Sequence, residues 1–526
     1  MEIQNPILPG FNPDPAICRV GDDYYIATST FEWFPGVQVH HSRDLANWEL
    51  VARPLDRRSQ LDMLGNPDSG GIWAPCLSYA DGLFWLIYTD TKSWSDGPYK
   101  ISPNYLVTAP AIEGPWSEPV YLNSSGFDPS LFHDEDGRKW LVNMRWDHRA
   151  GQHPFKDIVL QEYDVEGQQL VGPVHSIFTG TEIRMTEGPH LYKRNGWYYL
   201  LTAEGGTTYD HAASLARARA LIGPYEVHPQ NPLLTSVHDR ELAIQKAGHA
   251  SIVPGPGDQW ILVHLGSRPL RGERCTLGRE TSLQFIEWGE DDWPRLAHGG
   301  NAPAARVPLP AGLEAGPAIE RSGRVSFAPG ELDIHFQSLR RPFEESWLSL
   351  TARPGWLRLY GQHPTLSLFT QSLLARRTQA FHTVTSTCLE FAPEHFQHMA
   401  GLIAYYNTRR HYYLRVTHDE RRGGRTLGLI RADLDVHEDL PEHEIDLPPE
   451  GPVYLQVEIN REALQFRYAV EDGQWREIGP VFDATILSDD YGGMGFTGTF
   501  VGLCAQDIAG HGHPADFAWF DYQEKA

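Results

Sequence analysis

The chain has 526 residues, with 44 Lys and Arg against 68 Asp and Glu and a formal net charge of −24. That length exceeds what one core accommodates, so two or more domains are expected. The acidic balance, uninterrupted by any long Lys/Arg run, argues against nucleic acid or an anionic membrane as partner.

Residues 1–20 contain Pro6, Pro9, Pro13 and Pro15 and lack the basic start and apolar run of a signal peptide. No window reaches the roughly 18 apolar residues of a spanning helix, so a soluble, cytoplasmic protein is expected. From there the chain writes one pattern five times: Phe11-Asn12-Pro13-Asp14-Pro15-Ala16-Ile17, Trp73-Ala74-Pro75-Cys76-Leu77, Asp128-Pro129-Ser130-Leu131, Glu187-Gly188-Pro189-His190-Leu191 and His249-Ala250-Ser251-Ile252. Each copy opens a short apolar strand and runs through a turn, marked by Asp81-Gly82, Asp136-Gly137, Asn195-Gly196 and Gly257-Asp258 in the later copies, into a second, aromatic strand. Asp-Gly and Asn-Gly are strong hairpin signals.

The openers Asp14, Trp73, Asp128, Glu187 and His249 are 59, 55, 59 and 62 positions apart. That period suits a blade of four short strands, and five blades in a ring make a β-propeller. The first blade continues through Phe31, Trp33 and Phe34, which either wall a pocket or pack in the core, to an alternating third strand from Val37 and a turn before Trp48. Blade two carries an insertion from Thr91 to Pro103, and blade four a polar loop from Ala203 to His211, of the kind that holds specificity residues in repeat folds. Gly114-Pro115-Trp116 and Gly223-Pro224-Tyr225 recur at matching places in blades two and four.

After Trp288 the pattern stops. A Gly-, Pro- and Ala-rich stretch leads into short alternating runs such as Trp356–Tyr360, Tyr412–Val416 and Val453–Ile459, with almost no helical periodicity. These runs predict a β-sandwich. The expected division is 1–305 propeller, 306–322 linker and 323–526 sandwich. Cys18, Cys76, Cys275, Cys388 and Cys504 are odd in number and without metal spacing, which fits buried free thiols in a reducing compartment.

Around the ring, Asp128 and Glu187 come from neighbouring blades, and Asp14 faces them across the channel. Two neighbouring carboxylates do not both ionise cheaply, so one of them keeps its proton and serves as general acid, while the third stays ionised as base. An acid and a base across a gap that admits water is the inverting glycosidase arrangement, for which the separation is about 6.5–9.5 Å. Position in the ring does not decide between Asp128 and Glu187 as proton donor. For His249 a structural role and a role as ligand to water or a metal are both open. It is the one candidate metal ligand, toward a divalent cation such as calcium in the channel; no cofactor is required by the chemistry itself.

The motifs GFNPDPAI, STFEWFPG, GGIWAPCL, GFDPSLFHDEDG, TEGPHLYK and LGRETSLQ, with FTGTFVGLCAQD near the end, resemble glycoside hydrolase family 43, and within it the two-domain β-xylosidases. The resemblance spans essentially the whole chain and implies an all-β fold, a five-bladed propeller followed by a concanavalin-like jelly-roll sandwich. It further implies Asp14 as general base, Asp128 as the residue that orients the acid and raises its pKa, and Glu187 as general acid. It places Phe31, Trp73, Arg279 and His249 at the sugar, and has Phe500 reach over from the sandwich to close the subsite. The fifth blade departs from the family pattern, with Ser251 where an acidic residue or its amide is expected after Gly-His-Ala.

The implied activity is exo-acting, inverting removal of xylose from the non-reducing end of xylo-oligosaccharides in xylan degradation, with side α-L-arabinofuranosidase activity. A pentose lacks the exocyclic hydroxymethyl group, so a tight aromatic pocket selects against hexoses. The alternatives are a dedicated α-L-arabinofuranosidase and a non-catalytic carbohydrate-binding propeller. A homo-oligomer is compatible with the sequence.

Overall fold

The computed structural model of the protein describes residues 2–95, 97–257, 259–328, 330 and 332–525. Its only helices among the described residues are two 3-10 turns, Pro441–His443 and Ala484–Ile486; none is long and apolar enough to cross a membrane. The chain divides into two compact units. The first holds Met1–Glu32, Gly36–Arg268 and Arg279–Ile319; the second holds Trp33–Pro35, Pro269–Gly278 and Glu320–Ala526.

The first unit is a five-bladed β-propeller. Five antiparallel sheets follow one another along the chain, each opened by one of the repeated strands: Ala16–Val20, Gly71–Ala80, Ser130–His133, Glu187–Arg194 and Gln245–Pro254. The turn signals act as the sequence predicts in two blades. Ala80 pairs with Leu83 across Asp81–Gly82, and Arg194 with Trp197 across Asn195–Gly196, with both central residues of each turn at positive φ. In blade three His133 pairs with Lys139, so Asp136-Gly137 sits in a longer loop. Asp258, expected at the blade-five turn, lies outside the described residues. The Gly-Pro-aromatic recurrence is structural: Trp116 Nε1 donates to Ile112 O (3.1 Å), and the Tyr225 hydroxyl donates to Leu221 O (2.8 Å), each four residues back.

The opening strands are innermost, because they meet one another. Ile17 N–H donates to Ser251 Oγ (3.2 Å), the Ser130 hydroxyl donates to Pro189 O (2.6 Å), and Cys76 Sγ lies 3.8 Å from His190 Nδ1. These pairs join blades one and five, three and four, and two and four, which only strands around a common axis can do. Between blades the faces pack on apolar side chains; Ile17, Ile26, Val263 and Leu283 form one such cluster. A fully buried side chain of this kind contributes roughly 1.5–3 kcal/mol.

The ring closes through its N-terminal segment. Glu2–Gln4 pairs with Arg306–Pro308, Leu8 pairs with Thr281, and the Asn5 side chain both donates to Leu283 O (2.8 Å) and accepts from Leu283 N–H (2.8 Å). Asn12 N–H then donates to Arg279 O (2.9 Å), which brings Asp14 and Arg279 together from opposite ends of the unit. The segment expected as a linker over 306–322 therefore begins with a strand paired to the N-terminal segment in a separate two-stranded sheet, and the first unit extends to Ile319.

The second unit is a β-sandwich. An eight-stranded and a nine-stranded antiparallel sheet bury a shared core that includes Trp347, Leu402, Leu414, Phe466 and Phe517. Trp33–Phe34, emitted by blade one, is the edge strand of the nine-stranded sheet and pairs with Gln337–Leu339. All five cysteines are free and buried, as the sequence predicts.

Candidate active site

At or just before the channel-side stretch of each opening strand stands a residue in the left-handed backbone region, in blades two, four and five at an irregularity within the strand: Asp14 (φ 54°), Ala74 (32°), Asp128 (54°), Gly188 (54°) and His249 (44°). Non-glycine residues seldom adopt this conformation, and a residue before proline is normally pushed to the extended region. Five repeats of it identify the true register of the ring. Asp14, Asp128 and His249 occupy the shared position, whereas Trp73 and Glu187 stand one residue ahead of it. The five openers read from the sequence therefore do not all share one register.

That offset distinguishes the two neighbouring carboxyls. In blade four the shared position falls on Gly188, where a Cβ would stand 2.9 Å from His249 Nε2. Only glycine combines this φ with that approach. Its N–H donates to Asp128 Oδ2 (3.1 Å), tying blade three to the peptide that follows Glu187. Asp128 is buried; Glu187 is partly exposed.

Asp14 is buried and surrounded by donors. Its Oδ2 accepts from the Ser29 hydroxyl (2.6 Å), its Oδ1 accepts from Arg279 Nη1 (3.0 Å), and His249 Nδ1 lies 3.6 Å from Oδ1. Arg279 Nη1 also donates to Thr207 Oγ1 (3.0 Å), and the Ser29 hydroxyl oxygen accepts from Ala74 N–H (2.8 Å). Burial alone would raise the Asp14 carboxyl, but Arg279, His249 and Ser29 outweigh it and hold the group below its ordinary value. Asp14 is thus an anion near neutral pH.

The other two carboxyls go the opposite way. Burial and the Asp14 charge push Glu187 up to about 8, against the pull of Arg279 and Lys100. Burial, then Glu187 and Asp14, raise Asp128 well above the ordinary carboxylate range. One pocket therefore holds an ionised carboxylate beside protonated carboxyls, the combination that acid–base cleavage of an acetal needs. Of the protonated pair, Glu187 is the one with an exposed surface.

Aromatic rings wall the site. Phe31, itself at φ 50°, lies 6.3 Å from Trp73 between ring centroids, with the Arg279 guanidinium 5.4 Å over its face. Trp73 is fixed by Nε1 donating to Ser69 O (2.9 Å) and meets Phe127 edge to face at 5.3 Å. Lys100 Nζ lies 5.3 Å from Trp73, 5.3 Å from Phe127 and 4.4 Å from Trp146, a cation over three π-faces.

His249 is buried and packs against Gly188 and Asp14; burial lowers its pKa, as it does for His211 and His190, each pushed down to about 3. At the departure from the family pattern, Ser251 Oγ accepts from Ile17 N–H and from the Tyr192 hydroxyl (3.4 Å), so it stitches blades together. Among the described residues no group of three or more His, Cys, Asp or Glu side chains could hold a metal ion.

Phe500 belongs to the second unit. It begins the strand Phe500–Asp507, is fully buried, and stacks on Trp33 with ring centroids 3.6 Å apart and planes 10° apart. The sequence reading missed Ser29, Phe127, Lys100, Thr207 and His211. Lys100 lies in the blade-two insertion, whose Asp96 is outside the described residues, and Thr207 and His211 lie in the blade-four loop; both segments were legible as specificity loops. Ser29 opens the motif STFEWFPG and Phe127 lies in GFDPSLFHDEDG, but no local pattern marks either as a partner of the site.

The family profile Glycosyl hydrolases family 43 matches residues 3–294, and the profile Beta xylosidase C-terminal Concanavalin A-like domain matches residues 324–523. The chain is 52% identical to Xylosidase/arabinosidase 43B of Humicola insolens, over 99% of this chain and 98% of that one. It is 51% identical to the Beta-xylosidase of Bacillus subtilis (strain 168), over the full length of both. The crystal structure of xylan beta-1,4-xylosidase from Bacillus Halodurans C-125 superposes with a TM-score of 0.97 at 55% identity, covering 99% of this chain and 100% of the other. A propeller carrying this carboxylate constellation, matched over more than half the chain by the family profile, belongs to glycosyl hydrolases family 43, and the protein is a glycoside hydrolase.

Proposed function

We propose that the protein is an exo-acting, inverting β-xylosidase that releases xylose from the non-reducing end of xylo-oligosaccharides, with Asp14 as general base and Glu187 as general acid. The observation that carries this reading is geometric: buried Asp14 accepts from Arg279 Nη1 (3.0 Å) and from the Ser29 hydroxyl (2.6 Å), donors that favour its ionised form, while Asp128 holds the Gly188 N–H (3.1 Å) beside Glu187, a carboxyl that burial and the Asp14 charge push the opposite way. Asp14 takes a proton from water as the water oxygen attacks the anomeric carbon. Glu187 gives its proton to the glycosidic oxygen as that bond breaks. Asp128 supports the acid by accepting the Gly188 N–H next to it. Phe31 and Trp73 supply the apolar walls that suit a pentose, and Arg279 a donor for its hydroxyls. The names of the relatives, β-xylosidase from Bacillus subtilis and xylan beta-1,4-xylosidase from Bacillus Halodurans, support the substrate class. The Humicola insolens name, xylosidase/arabinosidase, supports side activity on α-L-arabinofuranosides.

The test of the roles is a leaving-group comparison. Glu187→Ala should lose about 10²–10⁴-fold on xylobiose and far less on an aryl xyloside with an activated leaving group, whereas Asp14→Ala should lose activity on both alike. Equal losses for Glu187→Ala on the two substrates would remove it as the acid. Turnover of aryl β-xyloside against aryl α-arabinofuranoside measures the side activity, and a dominant arabinofuranosidase rate would overturn the substrate assignment.

A further inference from the structure

Glu204 ends the second strand of blade four, Trp197–Glu204, and is fully buried. A buried carboxylate needs donors on both oxygens. Here Oε1 accepts from Thr181 N–H (2.7 Å) and the Thr186 hydroxyl (2.8 Å), and Oε2 accepts from the Thr181 hydroxyl and the Ser214 hydroxyl (2.6 Å). None of these donors is a cation. Ser214 is itself anchored, its Oγ accepting from Asn231 Nδ2 (3.0 Å).

Thr181 and Thr186 bracket the loop that delivers Glu187, and Thr186 immediately precedes it. Within it, Ile183 N–H donates to the Thr181 hydroxyl oxygen (3.2 Å), the same hydroxyl that donates to Glu204. Arg184 and Met185 are consecutive non-glycine residues at φ 69° and 55°, a combination that persists only where the surroundings impose it. The backbone ties are Arg184 N–H to Thr181 O (3.2 Å) and Gly205 N–H to Arg184 O (2.8 Å), the latter from the residue after Glu204. Gly180, at φ 85°, leaves no room for adjustment: a Cβ there would stand 2.0 Å from Thr186 Oγ1 and 3.0 Å from Glu204 Oε1.

We propose that Glu204 is a positioning residue for the general acid: its buried carboxylate fixes the 181–186 loop and thereby the direction from which Glu187 reaches the glycosidic oxygen. This rests on the reading of Glu187 as the acid. Glu204 exchanges no proton with substrate; it acts only as an acceptor, through Thr181 and Thr186. Its loss should therefore mimic a misplaced acid, slowing the step that needs protonation and sparing the step that does not.

The experiment measures kcat and KM for Glu204→Gln, Thr186→Val and, as control, Glu187→Ala, each on xylobiose and on 2,4-dinitrophenyl β-xyloside. Glu204→Gln preserves size but puts an amide NH2 against donors, and Thr186→Val removes one donor. A displacement on the order of 1 Å costs about 10²-fold, so Glu204→Gln should lower kcat on xylobiose by about 30- to 100-fold. Loss on the dinitrophenyl substrate should stay below about threefold, since that leaving group departs without a proton. KM should be little changed on either substrate, and Thr186→Val should show a smaller loss with the same asymmetry. Equal losses on both substrates, or undiminished xylobiose turnover, in folded Glu204→Gln would overturn the proposal, provided Glu187→Ala shows the asymmetry. Symmetric losses in Glu187→Ala would instead overturn the assignment of the acid. If Glu204→Gln does not fold, Thr186→Val decides by the same criteria.

Discussion

Removing the Ser29 hydroxyl isolates one contribution to the ionisation of Asp14. Ser29 donates to Oδ2 at 2.6 Å and is buried, so Ser29→Ala withdraws a hydrogen bond made to the charged form of the base. A hydrogen bond to a charged group is worth about 1.5–3 kcal/mol, and one pKa unit corresponds to about 1.4 kcal/mol. Losing that stabilisation of the charged form should raise the Asp14 pKa. The sign follows from the role. The base must be ionised, so kcat/KM falls as pH drops through the Asp14 pKa, and in Ser29→Ala this acid limb should move upward. The alkaline limb, set by Glu187 near 8, should stay in place, because Asp14 is ionised there in both proteins. The variant also leaves Ala74 N–H without its acceptor, so some loss of thermal stability is expected on top. The assay is a pH profile of kcat/KM on an aryl xyloside, with pre-incubation controls to separate titration from acid inactivation. An acid limb that does not move, with folding intact, would refute the claim that Ser29 holds Asp14 down.

Lys100→Met should shift the alkaline limb upward, because Lys100 is one of the charges that pull Glu187 down; an unchanged limb would place its ammonium outside the field of the acid. Gly188→Ala should abolish xylobiose turnover, since its Cβ would press on the His249 ring from a left-handed backbone; near-normal kcat would contradict the close packing. Phe500→Ala should lower unfolding stability by about 3–5 kcal/mol, the cost of deleting a buried ring stacked on Trp33, as read from denaturant melts. A loss below about 1 kcal/mol would show that the stack contributes little.

The propeller was legible because its repeat is written in turn chemistry and in aromatic second strands, both local signals. The carboxylates were legible for the same reason, but openers matched by polar or aromatic character fall one residue ahead of the shared backbone position at Trp73 and Glu187, because the backbone follows proline. Pro15, Pro75, Pro129 and Pro189 each succeed the left-handed residue, and aligning on them would have placed Ala74 and Gly188 at the shared position. Other features have partners too distant for a local pattern to reveal. Arg306–Pro308 reads as linker because its partner strand is Glu2–Gln4, and Trp33–Phe34 reads as blade one because its partner is Gln337–Leu339. Ser29 follows directly on a strand and Glu204 ends one, and neither stands out in sequence; only the folded chain shows the carboxylate that one serves and the hydroxyls that the other collects.

The central claim is that Asp14 activates water across the pocket from the acid Glu187, and the stereochemistry of the first product tests it most directly. Proton NMR of xylobiose hydrolysis, recorded before mutarotation equilibrates the anomers, should show the newly released non-reducing-end sugar appearing as α-xylose. Initial release of β-xylose would contradict it, since retention requires a carboxylate to attack the sugar in place of water.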